Sequence, residues 1–334
     1  MSYSYFVGID VSKATLDVCI IFPGSGQEQI HLKINNDQKA FVKLFKDISI
    51  RFGKPDDSWL FCLEHTGVYA LPICTFLAQN NLTYTLVPAL QIQKSLGIRR
   101  GKSDKSDSRD IALYAMKFND QMVFHTLPDQ LLQKLQLLLA QRERILSTKL
   151  AMQVPIGEST GFVPEELMKT IKKSTQRVVE MLEKELKKIE DELSDLIRSD
   201  QRIYKVFKLI ISIPGVGPQT AYHLIMVTKC FTTFDNPRQL ACYCGVAPFE
   251  RTSGTSVRGK AKVSHLANKK LKTLLNMCAL SAKSVDPQIA AYYQKKIQEG
   301  KHVMSVLNAI RNKLLHRIFA VVNRGSEYVK LQKC

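Results

Sequence analysis

The sequence predicts an α/β domain, then a long helical segment, then a mostly helical remainder. Three observations carry that expectation. In the first third, short apolar runs alternate with amphipathic stretches. Across the middle, apolar residues recur at alternating steps of three and four. In the last third, helical spacing resumes around a Pro-Gly-x-Gly turn.

Tyr5 to Val11 is a compact apolar run and Leu16 to Phe22 is another, with the polar Ser12-Lys13-Ala14-Thr15 turning between them. Pro23-Gly24-Ser25-Gly26 is a turn signal, after which Ile30 to Ile34 alternates as a strand. These runs form three consecutive antiparallel strands. Asn36 or Asp37 caps a helix with Phe41, Leu44, Phe45 and Ile48 on one face. Trp59 to Leu63 reads as a short buried strand, Leu71 to Ala78 as a helix, and Tyr84 to Val87 as a strand stopped by Pro88. A further helix starts near Asp104 or Asp107 and carries Ile111, Leu113, Tyr114 and Met116. The order βββαβαβα is that of a ribonuclease-H-like domain. That topology puts Asp10 mid-sheet and Glu64 at the end of a neighbouring parallel strand.

Val179, Leu182, Leu186, Ile189, Leu193 and Leu196 form an a/d seam flanked by Glu and Lys. Leu131 to Leu150 is a second long helix with a Leu-rich face. The two suit an antiparallel hairpin within one chain or a coiled coil between chains, and the spacing does not choose. Ile213-Pro-Gly-Val-Gly-Pro218 resembles the turn of helix-hairpin-helix elements, whose glycines let backbone N–H groups approach a phosphate. The bland alternative is a helix–helix turn that needs Gly. Helices follow at about 237–244, 268–282 and 303–323, with the loop holding Ser253 between the first two, and Gly325 closes the last.

The chain has 334 residues, 48 Lys and Arg against 30 Asp and Glu, and a formal charge of +18. That excess favours a polyanion, and nucleic acid is the usual one. No run is long and apolar enough to span a bilayer, and the N-terminus lacks the basic start and cleavage site of a signal peptide. The expected setting is therefore cytoplasmic, associated with the nucleoid and without membrane contact. The eight cysteines are scattered, and Cys242-Tyr-Cys244 has no second ligand pair, which argues for reduced thiols and against zinc.

The acids carry the chemistry. Asp10 follows Phe6-Val-Gly-Ile9 inside an apolar strand, and Glu64 follows Leu60-Phe-Cys-Leu63. A buried carboxylate there needs a cation or several donors. Asp104 and Asp107 are three apart and share a helix face. Four such acids within reach of one another repel unless metal is bound, and hard oxygen donors select Mg²⁺ or Mn²⁺ over zinc. Two such ions could clamp the attacking and leaving oxygens of a phosphodiester. Asp17, in the second strand, has a phase that points it to solvent, and Asp110 suits the helix surface. Lys94, Arg99, Arg100, Lys102, Lys105 and Arg109 rim the later acids and fit phosphate-backbone contact. Ser253 lies among Arg251, Arg258, Lys260, Lys262, Lys269, Lys270 and Lys272, with no acid from Arg251 to Lys283. A hydroxyl beside metal and cations can attack phosphorus. Thr252 is the competing hydroxyl, and neither His65 nor His265 has the spacing of a triad.

Gly8-Ile-Asp10-Val-Ser-Lys13, Leu63-Glu64-His-Thr-Gly67-Val-Tyr69, Lys102-Ser-Asp104 with Asp107-Ser108-Arg109, Ile213-Pro-Gly-Val-Gly217, and Gly245-Val-Ala-Pro248 leading to Ser253-Gly254 occur in that order. This set resembles the DEDD transposases of the IS110 insertion sequences, related to Piv-type DNA invertases. The resemblance implies a RuvC-like catalytic domain over 1–125, with Asp10, Glu64, Asp104 and Asp107 as Mg²⁺ or Mn²⁺ ligands. It implies a helical coiled-coil dimerisation region over 126–203. It implies a transposase domain over 204–334, with Ser253 as the nucleophile that links covalently to a DNA 5′ end. It further implies DNA partners at element ends and target, a structured bridge RNA as guide, and a homo-oligomer in which dimers assemble to a tetramer. Arg251 stands where many relatives carry an aromatic residue. The expected activity is RNA-guided recombination of a mobile element. A junction-resolving nuclease using metal-activated water is the alternative, with a binding-only descendant and a sugar-kinase-like ATPase behind it.

Overall fold

A computed structural model describes residues 3–22, 29–97, 103–127, 129–253 and 257–329. The turn signal at 23–26 lies outside the described residues. The chain divides into two compact units, Met1–Leu127 and Pro128–Cys334.

The first unit contains β1 (Tyr5–Val11), β2 (Thr15–Ile21), β3 (Gln29–Asn35), α1 (Gln38–Phe52), β4 (Trp59–Glu64), α2 (Leu71–Gln79), β5 (Tyr84–Val87), α3 (Ala89–Ser95) and α4 (Asp104–Phe118). The five strands form one sheet in the order β3-β2-β1-β4-β5. β1, β2 and β3 are antiparallel neighbours, while β4 runs parallel to β1 and β5 parallel to β4. Asp37 is the residue that caps α1, its side chain accepting from Ala40 N at 2.9 Å. The seven residues of α3 carry a single buried position, Ile92, which leaves no helical period to mark it in the sequence.

The sheet is covered on both faces, so its strands are apolar almost throughout. Val7, Ile9, Leu16, Val18, Trp59, Phe61 and Leu63 pack with Phe41, Leu44, Ile73 and Leu77 of α1 and α2. On the opposite face Phe6, Leu60, Cys62 and Val87 pack with Ile92, Ile111 and Tyr114 of α3 and α4.

The second unit contains α5 (Gln130–Glu158), α6 (Glu165–Arg198), α7 (Gln201–Ile211), α8 (Pro218–Thr228), α9 (Pro237–Tyr243), β6 (Pro248–Ser253), β7 (Val257–Val263), α10 (Lys269–Val285), α11 (Pro287–Gln298) and α12 (Val303–Arg324). α5 and α6 form an antiparallel hairpin within the chain. Arg142 meets Glu190 at 2.7 Å and Lys149 meets Glu183 at 2.6 Å, so partners descend on one helix as they ascend on the other. Val179 and Leu193 of the seam are buried, with Leu182, Leu186, Ile189 and Leu196 half-buried. Leu132, Leu135, Leu139, Leu193 and Ile197 share one core with Leu224, Leu275, Leu314 and Ile318 of the later helices.

The region around Ser253, expected as a loop between helices, is a two-stranded hairpin, β6 with β7. β7 alternates Val257, Gly259, Ala261 and Val263 with Arg258, Lys260 and Lys262. That period of two is a strand pattern obscured by the density of cations. Among the described residues no helix is long and apolar enough to cross a membrane.

Candidate active site

The strand register lines up the site. Asp10 on β1 is paired with Asp17 on β2, and Asp17 with Lys33 on β3. On the other side Ile9 pairs with Leu63, so Glu64, the last residue of β4, flanks Asp10, and Glu64 itself pairs with Val87. Side chains of residues opposite one another across a ladder leave the same face. One row across the sheet therefore reads Lys33, Asp17, Asp10, Glu64.

α4 lies over that face. Its start is fixed by a capping box: Ser106 N donates to Ser103 Oγ at 3.2 Å and Ser103 N donates to Ser106 Oγ at 3.0 Å. Asp104 and Asp107 fall in its first turn, where the helix dipole favours negative charge. The helix comes this close because β1 has Gly8. A Cβ there would lie 2.2 Å from both Ala112 N and Ser108 O.

The acids share one electrostatic neighbourhood. Asp10 is half-buried, and its pKa is pushed up to about 6, first by burial and then by the charges of Glu64, Asp107, Asp104 and Asp17. Asp17 does not face solvent, as its phase had suggested. It is 5% exposed, because β2 is an interior strand and α4 covers the face it shares with Asp10. His31 Nε2 lies 3.1 Å from Asp17 Oδ1 and Lys33 Nζ lies 3.2 Å from Asp17 Oδ2. Lys33 also donates to Asp104 Oδ2 at 3.4 Å. His31 and Lys33 join the acids as residues the sequence reading does not single out, although the alternation of Ile30, Leu32 and Ile34 puts both on the opposite face of β3. Asp110 is half-buried farther along α4.

Among the described residues no three carboxylate, imidazole or thiol groups form a ready-made metal cage. The donors are all carboxylate oxygens, which suit a hard divalent cation, and Asp10 is disfavoured as an anion while none is near. Asp10, Glu64, Asp104 and Asp107 thus fit such an ion in the chemistry of their donors, and Asp10 feels the charges of the other three.

Of the cations around the later acids, Lys94, Lys105 and Arg109 are exposed, while Arg99, Arg100 and Lys102 lie outside the described residues. In the second unit Ser253 is the last residue of β6, its ladder partner is Val257, and Gly254 lies outside the described residues. The side chains of Arg251, Thr252, Ser253, Arg258 and Lys260 also lie outside what the structure describes, and Lys262 is exposed. In the Pro-Gly-Val-Gly turn, Gly215 has φ +87° and a Cβ on it would meet Ala282 N at 2.5 Å. Its glycine is explained by close packing on α10.

A transposase model of the IS110 DEDD type matches residues 7–154, the stretch that holds all four acids. A second model, "Transposase IS116/IS110/IS902 family", matches residues 207–294, the stretch that holds Ser253. The chain belongs to the IS110 family of transposases. This transposase is similar over its whole length to the pilin gene-inverting proteins of Moraxella lacunata and Moraxella bovis, each 27% identical with 99% of both chains covered. It is also similar to the uncharacterized 42 kDa protein of insertion element IS900 from Mycobacterium paratuberculosis, 21% identical over 98% of each chain.

Proposed function

We propose that this transposase cuts and rejoins DNA through a covalent phosphoserine, with divalent metal held by Asp10, Glu64, Asp104 and Asp107. The observation that carries the reading is the convergence of these acids where β1 and β4 end beneath the start of α4. The sheet, antiparallel from β1 to β3 and parallel from β1 through β4 to β5, supports assigning the first unit to the RuvC-like class.

Bound Mg²⁺ or Mn²⁺ would polarise the scissile phosphodiester and offset charge on its oxygens. Ser253 Oγ attacks phosphorus, the O–P bond forms, and a 3′ hydroxyl leaves. The ester retained on the serine lets a second 3′ hydroxyl rejoin the strand without an external energy source. Arg251, Arg258, Lys260 and Lys262 on the β6–β7 hairpin would bind the backbone around that phosphate, and Arg99, Arg100, Lys102 and Lys105 the strand beside the acids.

The formal charge of +18 supports nucleic-acid partners, namely element ends, target DNA and a structured guide RNA. An oligomer that unites the acids of one subunit with the serine of another is supported by a second apolar stripe on the helical hairpin. Leu167, Ile171, Val178 and Met181 step by four, seven and three along α6 and are 40–69% exposed. A cytoplasmic setting follows from such partners.

The test uses end-labelled element DNA with Mg²⁺ and a denaturing gel. Wild-type protein should give a protein–DNA adduct, Ser253→Ala should abolish it while Thr252→Ala does not, and Asp10→Asn should abolish cutting. Cleaved, unjoined ends with no adduct from the wild type would instead establish a water-using nuclease.

A further inference from the structure

We propose that Asp17 and Lys33 form an internal ion pair that sets the charge of the acid cluster and keeps Asp17 out of the metal-ligand set. The inference rests on the reading of Asp10, Glu64, Asp104 and Asp107 as metal ligands.

Asp17 is well placed to be a fifth ligand. It sits directly across the β1–β2 ladder from Asp10, on the same face, and is 5% exposed. Opposite residues on such a ladder have Cβ atoms only about 5 Å apart. Both of its oxygens are engaged, however. Oδ1 faces His31 Nε2 at 3.1 Å, and Oδ2 faces Lys33 Nζ at 3.2 Å. The arrangement is fixed by register, because Lys33 is the ladder partner of Asp17 and His31 of Cys19, two places along the same face. The same ammonium reaches Asp104 Oδ2 at 3.4 Å.

The charges then add up simply. Asp10, Glu64, Asp104 and Asp107 carry a formal −4, which two divalent cations neutralise. Asp17 would add one more negative charge in a place nearly closed to water, and an unpaired buried charge is strongly destabilising. Lys33 cancels it. Its half-exposed side chain, 51% accessible, keeps the ammonium at the border between the cluster and solvent, where it also bears on Asp104. Removing the ammonium alone leaves the site more negative and frees one Asp17 oxygen. Removing both charges restores the balance.

The measurement is a Mn²⁺ titration of the full-length protein, read as free Mn²⁺ by electron paramagnetic resonance. Lys33→Met should bind Mn²⁺ at least about tenfold more tightly, because a repelling charge is gone and a carboxylate is released. The double variant Asp17→Asn with Lys33→Met should return to wild-type affinity. Lys33→Arg, which keeps the charge, should stay within about twofold of wild type. Circular dichroism checks the fold of each. If Lys33→Met does not fold, Asp17→Asn alone decides, since an uncompensated ammonium should weaken binding about tenfold. Unchanged or weaker binding by a folded Lys33→Met, or a double variant that fails to return, overturns the role of the pair. Asp10→Asn separates the two ideas. If it removes Mn²⁺ binding while Lys33→Met stays at wild-type affinity, only the pair's role falls. If Mn²⁺ binding survives Asp10→Asn, the metal-ligand reading falls and the pair's role with it.

Discussion

Asp10 is held under electrostatic strain, and that strain has a pH signature. Its pKa in the folded chain is about 6 against an ordinary 3.8, with burial as the largest cause and the neighbouring carboxylates next. Between those values the folded state binds more protons than the unfolded one. The stability that Asp10 contributes therefore falls as pH rises from about 4 to about 6, and the full penalty applies above that window. Asp10→Asn should raise the melting temperature in EDTA at about pH 8, with the difference closing by about pH 4. Because the side chain is only half-buried, the gain should be nearer 1 kcal/mol than the full value of the shift. A thermal-unfolding difference that is equal at both pH values would show that Asp10 is not strained by its neighbours. Asp10 and Glu64 are legible in the sequence because one carboxylate stands inside an apolar run and the other ends one, where neither has a solvent-facing reason to stand. Asp17 was not, because its phase along one strand says nothing of the helix that covers it.

α4 reaches the acids only because β1 leaves a gap for it. Gly8 is that gap, since a Cβ would stand 2.2 Å from backbone atoms of Ser108 and Ala112, which cannot move without the helix. Gly8→Ala should lift α4 from the sheet and destabilise the first unit by about 3 kcal/mol or more. The check is chemical denaturation read by the fluorescence of Trp59, the chain's single tryptophan, which is buried in the same unit. A midpoint unchanged from wild type would refute the close approach. The start of α4 was legible through its polar residues and the acids of its first turn, and its cap proved to be Ser103. The β6–β7 hairpin is hidden in the sequence because its alternating positions are filled by Arg and Lys, a composition that a charged loop shares.

Within the second unit the α5–α6 hairpin carries two apolar stripes and covers one of them. The seam from Val179 to Leu196 lies against α5, while Leu167, Ile171, Val178 and Met181 remain exposed. Ile171→Asp with Val178→Asp should reduce the mass measured by light scattering to that of a single chain, with helix content by circular dichroism unchanged. An oligomer of unaltered mass would remove this stripe from the interface. The heptad spacing of one long helix and the Leu-rich face of the other make both visible in the sequence, yet spacing does not say whether a seam is met by the same chain or another, because any apolar partner of matching pitch satisfies it. The composition, the apolar periods and the positions of the four acids and the serine are written in the linear chain, since each follows from local chemistry and spacing. The pairing of Asp17 with Lys33, the burial of Asp17 and the seating of α4 on Gly8 are not. They arise from strand register and from which helix covers which face, and both are settled by the packing of the domain as a whole.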